Sequence, residues 1–261
     1  MRPNLKGENM FIKNDLVKTL KTLRLSGLIA ALPARIEQAK IDNLDPADFL
    51  EIIFNDELDK RKDRLLERRI KSARINSNKR LDNFNFDFNP KLPRQTLFEL
   101  STTRFVQNAR NAIFIGPPGT GKSHMAQAIA LCAVQAGLKA LYYQLHELLE
   151  LLIEANATGI KKALTQKLLA PDLLVLDDLG MKKLPPDRAE ELLEIIMRRY
   201  EKNSTIMTSN RPLEDWPKLI GDAATTSAIL DRLLHHAVMV SFNGKSYRLH
   251  QTCVENKSSE E

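Results

Sequence analysis

Residues 116 to 123 read Gly-Pro-Pro-Gly-Thr-Gly-Lys-Ser. The pattern is Gly, four residues, then Gly-Lys-Ser, and its residue types suit a nucleotide's phosphates. Gly119 and Gly121 let the backbone turn its N–H groups inward onto phosphate oxygens. Lys122 adds a point charge at the β- and γ-phosphates, and Ser123 offers a hydroxyl to Mg²⁺. Gly116, Pro117, Pro118 and Thr120 complete the loop. The expected ligands are ATP and Mg²⁺.

A Mg²⁺ site needs a carboxylate from a neighbouring strand. Leu173-Leu174-Val175-Leu176-Asp177-Asp178 supplies one at the end of a buried apolar run. Ligands bind at the carboxyl ends of strands in open α/β sheets, so Asp177 is assigned to the metal, through water. Asp178 is assigned to orienting and polarising the attacking water. A third run, Thr205–Met207, ends in Thr208-Ser209-Asn210. Asn210 suits holding that water near the γ-phosphate, although polar residues end many strands and the spacing alone leaves this open.

Positioning these groups requires strands that alternate with helices. The apolar runs are Ala112–Ile115, Ala140–Tyr143, Leu173–Leu176, Thr205–Met207 and Val238–Phe242. Helical patterns lie between them at Ser123–Ala136, Leu145–Ala155, Asp187–Glu201 and Thr226–His236. Such alternation implies an α/β fold, a parallel sheet with helices on both faces. The loop at Gly116 thus follows a strand and opens a helix, whose N-terminal dipole faces the phosphates.

Upstream, the chain reads as all helix. Leu28, Ile29, Leu32 and Ile36 recur at helical spacing. A second helix is expected from Asp45-Pro46, with Asp45 as cap, Pro46 at the first position and an apolar side of Phe49, Ile52, Ile53 and Phe54, running to about Ala73. Between Lys60 and Arg80 lie ten Lys or Arg but only Asp63 and Glu67 as acids. Lys60, Arg64, Arg68 and Lys71 share a face, a stripe that suits a phosphate backbone, the alternative being a solvated surface; Arg69 and Arg74 join them as DNA-binding candidates. Leu65, Leu66 and Ile70 fall elsewhere and are free to pack.

The segment 81–94 carries Phe84, Phe86 and Phe88 among Asn, Asp and Pro. It reads as a linker anchored by its rings, which are also suited to covering a base. The expected division is therefore a small all-helical N-terminal region at 1–80, a linker at 81–94, a nucleotide-binding domain at 95–254 and a polar tail at 255–261. Cys132 and Cys253 are too few for a disulfide framework. No apolar run approaches the ~20 residues of a membrane span, and Met1–Asp15 lacks a signal-peptide core. Cytoplasmic residence is the simplest reading. The net charge of +6 favours a polyanionic partner.

Taken in order, Gly-Pro-Pro-Gly-Thr-Gly-Lys-Ser-His, Leu-Asp-Asp-Leu-Gly and Thr-Ser-Asn resemble the Walker A, Walker B and sensor 1 elements of AAA+ ATPases. The nearest branch is that of the helicase loader DnaC and the initiator DnaA. Within it the chain is most similar to the IstB-like family, the ATPase partner encoded with a transposase in bacterial insertion sequences. Leu-Arg-Leu-Ser-Gly near the N-terminus, the Phe-Asp-Phe linker, Asn-Ala-Ile-Phe-Ile-Gly and the closing Ser-Tyr-Arg-Leu carry this finer likeness.

The resemblance implies subunits side by side as a homo-oligomer, with ATP at their interfaces. It adds His124 to the nucleotide site and makes Arg232 the arginine that completes a neighbour's site. Without the resemblance, Arg232 reads as a surface residue paired with nearby acids. Two departures stand out. Position 178 is Asp where Glu is usual, which shortens the reach to water. The stretch after Phe242 is too short for a helical lid domain, leaving Arg248 as a weak substitute for the lid's arginine. The implied function is an ATP-dependent, duplex-DNA-binding regulator of transposition that stimulates a transposase. Alternatives are a helicase loader and a non-hydrolysing architectural DNA-binding protein.

Overall fold

A computed structural model describes residues 14–221 and 223–247. The chain forms two compact units, Met1–Arg68 and Arg69–Glu261. The sequence drew its boundary at residue 80; the structure divides the chain earlier, so 69–80 belongs with the second unit. Arg248, Cys253 and the tail 255–261 lie outside the described residues.

The first unit contains helices α1 (Asn14–Thr22), α2 (Ser26–Ile41) and most of α3 (Pro46–Ser72). Leu20, Leu28, Leu32 and Ile53 form its core, with Ile29, Ile36 and Phe49 against them. The Asp45 side chain accepts from the Ala47 N–H at 3.0 Å, capping α3 where the sequence places its start. Glu57 is buried and closes the start of α2: its carboxylate accepts from the Leu28 N–H at 3.1 Å and from Arg61 Nε at 2.8 Å. Burial pushes the Glu57 carboxyl up, but Arg61 and the N–H groups of Leu28 and Gly27 outweigh it, and the net shift is down. Phe54 and Leu65, expected to pack, are instead exposed.

In the second unit, α4 (Arg94–Ser101) and α5 (Arg104–Gln107) precede strand β1 (Ala112–Ile115). There follow α6 (Lys122–Gln135), β2 (Ala140–Gln144), α7 (Leu145–Ala157), α8 (Lys161–Leu169), β3 (Leu173–Leu179) and α9 (Pro186–Arg199). The unit continues with β4 (Ser204–Ser209), α10 (Trp216–Ile220), α11 (Ala223–Leu234) and β5 (Val238–Ser241). All five strands pair in parallel, in the order β2-β3-β4-β1-β5.

Period-two alternation sends side chains to two faces. Ile113, Leu141, Tyr143, Leu174, Leu176 and Met207 face a core built with α7, α9 and α11. The opposite face packs on α6, whose Met125, Ala126, Ile129 and Ala133 are fully buried. Trp216 is buried too, its indole N–H donating to the Arg211 carbonyl at 3.4 Å.

Arg199 lies at the sheet's amino-terminal edge with 1% of its surface exposed. It donates to the carbonyls of Leu168 (2.8 Å), Pro171 (3.0 Å) and Ser204 (2.6 Å) and to Thr205 Oγ1 (3.3 Å). The second unit begins with the last turn of α3. That turn closes on Arg74 in the left-handed region (φ 59), and the Ala73 carbonyl then accepts from the Tyr142 N–H of outer strand β2 at 2.9 Å.

Candidate nucleotide site

Parallel strands present all their carboxyl ends on one edge. The loop 116–121 leaves β1 there, Asp177 and Asp178 lie in the last residues of β3, and Thr208 and Ser209 end β4 with Asn210 just beyond. Because β4 lies between β3 and β1, its tip stands between the loop and the two carboxylates.

Two glycines are required by the loop's shape. Gly116 has φ +155, and a Cβ there would strike the backbone carbonyl of Phe242. Gly121 caps α6 at φ +99, and a Cβ would come within 2.5 Å of the Phe84 ring. Lys122 is 6% exposed, and its ammonium donates to the carbonyls of Gly116 (2.7 Å) and Pro117 (2.8 Å). These neutral acceptors hold the charge where an anion's oxygens would compete for it. Thr120 Oγ1 donates to the Pro117 carbonyl at 2.8 Å.

A cavity of about 640 Å³ opens on this edge. Gly119 to His124 line it, opposite Tyr142, Asp177 and Asp178. Gly116, Pro117 and Pro118 shape the loop without reaching the cavity wall. Phe84 and Phe88 border the cavity, while Phe86 is 6% exposed and stacks on Phe98 at 5.5 Å. The linker thus divides the two roles read for its rings: Phe86 anchors, and Phe84 and Phe88 face the cavity. After β5 the chain returns across the loop. The Tyr247 N–H donates to the Gly119 carbonyl at 2.9 Å, and its ring meets Phe88 edge-on at 5.1 Å.

Asp177 is 4% exposed, and both its oxygens are engaged. Thr208 Oγ1 donates to Oδ1 and the Tyr142 hydroxyl donates to Oδ2 at 2.7 Å. Thr208 Oγ1 in turn accepts from the Asp178 N–H at 2.8 Å. Asp178 sits in the left-handed region (φ 67), where the register of β3 on β4 breaks. Burial, then the Asp177 charge, pushes the Tyr142 phenol well up, so it keeps its proton and donates.

Asn210 does not line the cavity. Its Oδ1 is buried and has no hydrogen-bond partner among the described residues. A buried orphan acceptor is costly unless it serves a ligand or water. His124 turns toward the linker: its Nε2 lies 2.8 Å from the Arg80 carbonyl, which can only accept, so Nε2 carries the proton. Burial holds the His124 pKa down. Arg232 also lies outside the cavity wall and donates to Ala228 of its own helix at 2.9 Å rather than to an acid. Asn111 fixes that helix: it donates to the carbonyls of Arg232 and Leu233 and accepts from the Thr205 N–H.

Ser123 and Asp177 suit Mg²⁺, which takes one or two protein carboxylates and completes its shell with phosphate oxygens and water. Among the described residues no three His, Cys, Asp or Glu side chains gather as they would for an ion held by protein alone. Lys60, Arg64, Arg68, Arg69 and Lys71 are exposed on α3. Arg64 donates to Ser26 Oγ at 2.8 Å, and Arg74, beyond the helix, lies over the Tyr143 ring at 4.2 Å. No helix among the described residues is long and apolar enough to cross a membrane.

The sheet order, the glycine loop on α6 and the paired aspartates beside it define a P-loop ATP-binding protein of the AAA+ type. Its fold is shared with the DnaC helicase loader (24% identity, TM-score 0.51, 63% of this chain and 97% of that one). It is shared also with AMPPCP-bound DnaA from Aquifex aeolicus (22% identity, TM-score 0.54, 71% of this chain and 56% of that one). The chain belongs to the IstB-like ATP binding protein family, which matches residues 18–254. It is 36% identical to a protein of Pseudomonas aeruginosa named as the ATP-binding protein of insertion sequence IS21, over 90% of this chain and 89% of that one. It is 32% identical to the corresponding protein of insertion sequence IS5376 of Geobacillus stearothermophilus, over 87% and 91%.

Proposed function

We propose that this chain is a Mg²⁺-dependent ATPase of DNA transposition, which assembles with copies of itself on duplex DNA and stimulates a partner transposase in the cytoplasm. The observation that carries the ATPase reading is the convergence of Lys122, Ser123, Asp177 and Asp178 on one cavity at the carboxyl edge of the sheet. The insertion-sequence relatives support the transposition setting.

In this reading Lys122 exchanges its carbonyl partners for the β- and γ-phosphate oxygens. The loop N–H groups and the start of α6 cradle the same oxygens. Ser123 and, through water, Asp177 would hold Mg²⁺, which would supply neutralisation of charge on the phosphoryl group. Asp178 orients the attacking water and draws its proton. Asn210, whose orphaned Oδ1 lies outside the cavity wall, is assigned to holding that water once nucleotide is bound. Arg232 lies apart from its own cavity and is assigned to the site of a neighbouring subunit. Phe84 and Phe88 cover the base. The exposed cations of α3 contact DNA phosphates, which position the protein without reading sequence.

The test is ATP turnover by the full chain with and without duplex DNA. Turnover should rise with DNA, and DNA affinity should fall steeply as salt is raised. Asp178→Ala should cut turnover on the order of 100-fold while leaving ATP affinity nearly unchanged. Turnover that survives Lys122→Ala would falsify the site, and DNA affinity indifferent to salt would remove the basic helix from the reading.

A further inference from the structure

We propose that Tyr142 is a positioning residue for Asp177, locking the carboxylate in the one orientation that takes Mg²⁺ through water. The inference rests on the reading of this cavity as a Mg²⁺–ATP site. It adds a residue from β2, a strand to which that reading gives no task.

The argument begins with register. Tyr142 pairs with Val175 and Gln144 pairs with Asp177, so all four side chains leave the same face of the sheet. Tyr142 and Asp177 are diagonal neighbours, a separation that only a long side chain spans. The tyrosine does so and places its hydroxyl 2.7 Å from Asp177 Oδ2. The backbone beneath it is fixed as well, because the Tyr142 N–H is held by the Ala73 carbonyl.

Thr208 holds the other oxygen, Oδ1. A carboxylate with a donor on each oxygen cannot rotate about its Cβ–Cγ bond without breaking one of them. Each oxygen still has a lone pair for a hydrogen bond from a metal-bound water. Second-shell donors of this kind orient a ligand and raise its hold on the ion. Tyr142 also lines the cavity with Ser123, and its hydroxyl oxygen, having spent its only proton on Asp177, is left as an acceptor.

Tyr142→Phe removes the hydroxyl and keeps the ring. The experiment uses the full-length chain with a non-hydrolysable ATP analogue and Mn²⁺ in place of Mg²⁺, followed by electron paramagnetic resonance. The Mn²⁺ concentration at half-occupancy should rise about 10- to 100-fold in Tyr142→Phe. Analogue affinity in EDTA should match wild type, which a merely structural role would not allow. A wild-type Mn²⁺ midpoint in the variant overturns the inference alone, whatever its thermal midpoint. So does an equal loss of analogue affinity in EDTA. Wild-type protein that takes up no Mn²⁺ with the analogue overturns the nucleotide-site reading and this inference with it.

Discussion

Arg199 carries a charge where almost no water reaches it. Burial lowers its pKa to about 10, and Asp172 opposes the shift, so the guanidinium stays protonated at neutral pH. Four acceptors surround it, three of them carbonyls. Replacing it with Met keeps much of the volume but strands those carbonyls. Arg199→Met should lower stability by about 3 kcal/mol in urea unfolding, since each buried unsatisfied group costs roughly 1–3 kcal/mol. ATP affinity of the remaining folded protein should be unchanged, because Arg199 sits at the amino-terminal edge of the sheet and the cavity at the other. In sequence, Arg199 looks like any cation near the end of an amphipathic helix. Lys122 and Asp177 were legible because the chemistry of each is declared by its immediate neighbours. Tyr142, Thr208 and Asn111 were not, because their partners lie 35, 31 and more than 90 positions away.

Among the elements, all five strands stand where the apolar runs place them, within a few residues. Short buried strands bounded by turns announce themselves by composition. Their order does not, since β4 slips between β1 and β3 through contacts that no local pattern encodes. Helices α4, α5, α8 and α10 were missed because none is long enough to build a clear apolar stripe. The linker shows a different kind of limit. Three alternating phenylalanines say that rings will pack, yet only the fold divides them. Phe86→Ala should cost about 3 kcal/mol of stability, as expected for a buried aromatic ring. Phe88→Ala should instead weaken ATP binding about tenfold, the loss of one base–aromatic stack, with little change in the melting curve. The two variants, compared by calorimetry and nucleotide titration, separate anchor from lining.

On the scale of the whole molecule, the proposed completion of each site by a neighbour predicts that the site can be divided between two defective chains. Lys122→Ala lacks the phosphate cradle but keeps Arg232; Arg232→Ala lacks the arginine but keeps the cradle. Each alone should hydrolyse ATP slowly, and an equimolar mixture should recover a substantial part of wild-type turnover. No recovery would return Arg232 to the surface. The bond between Ala73 and Tyr142 bears on a different question, that of where the second unit can be cut. The outer strand β2 would otherwise offer its edge to any chain able to pair with it. A fragment starting at Gln95, where the sequence draws the nucleotide-binding domain, discards Ala73 together with Phe84 and Phe86. Such a fragment should scatter light and precipitate at concentrations where one starting at Arg69 stays clear. Equal clarity of the two fragments would deny the residues after α3 this guarding of the β2 edge.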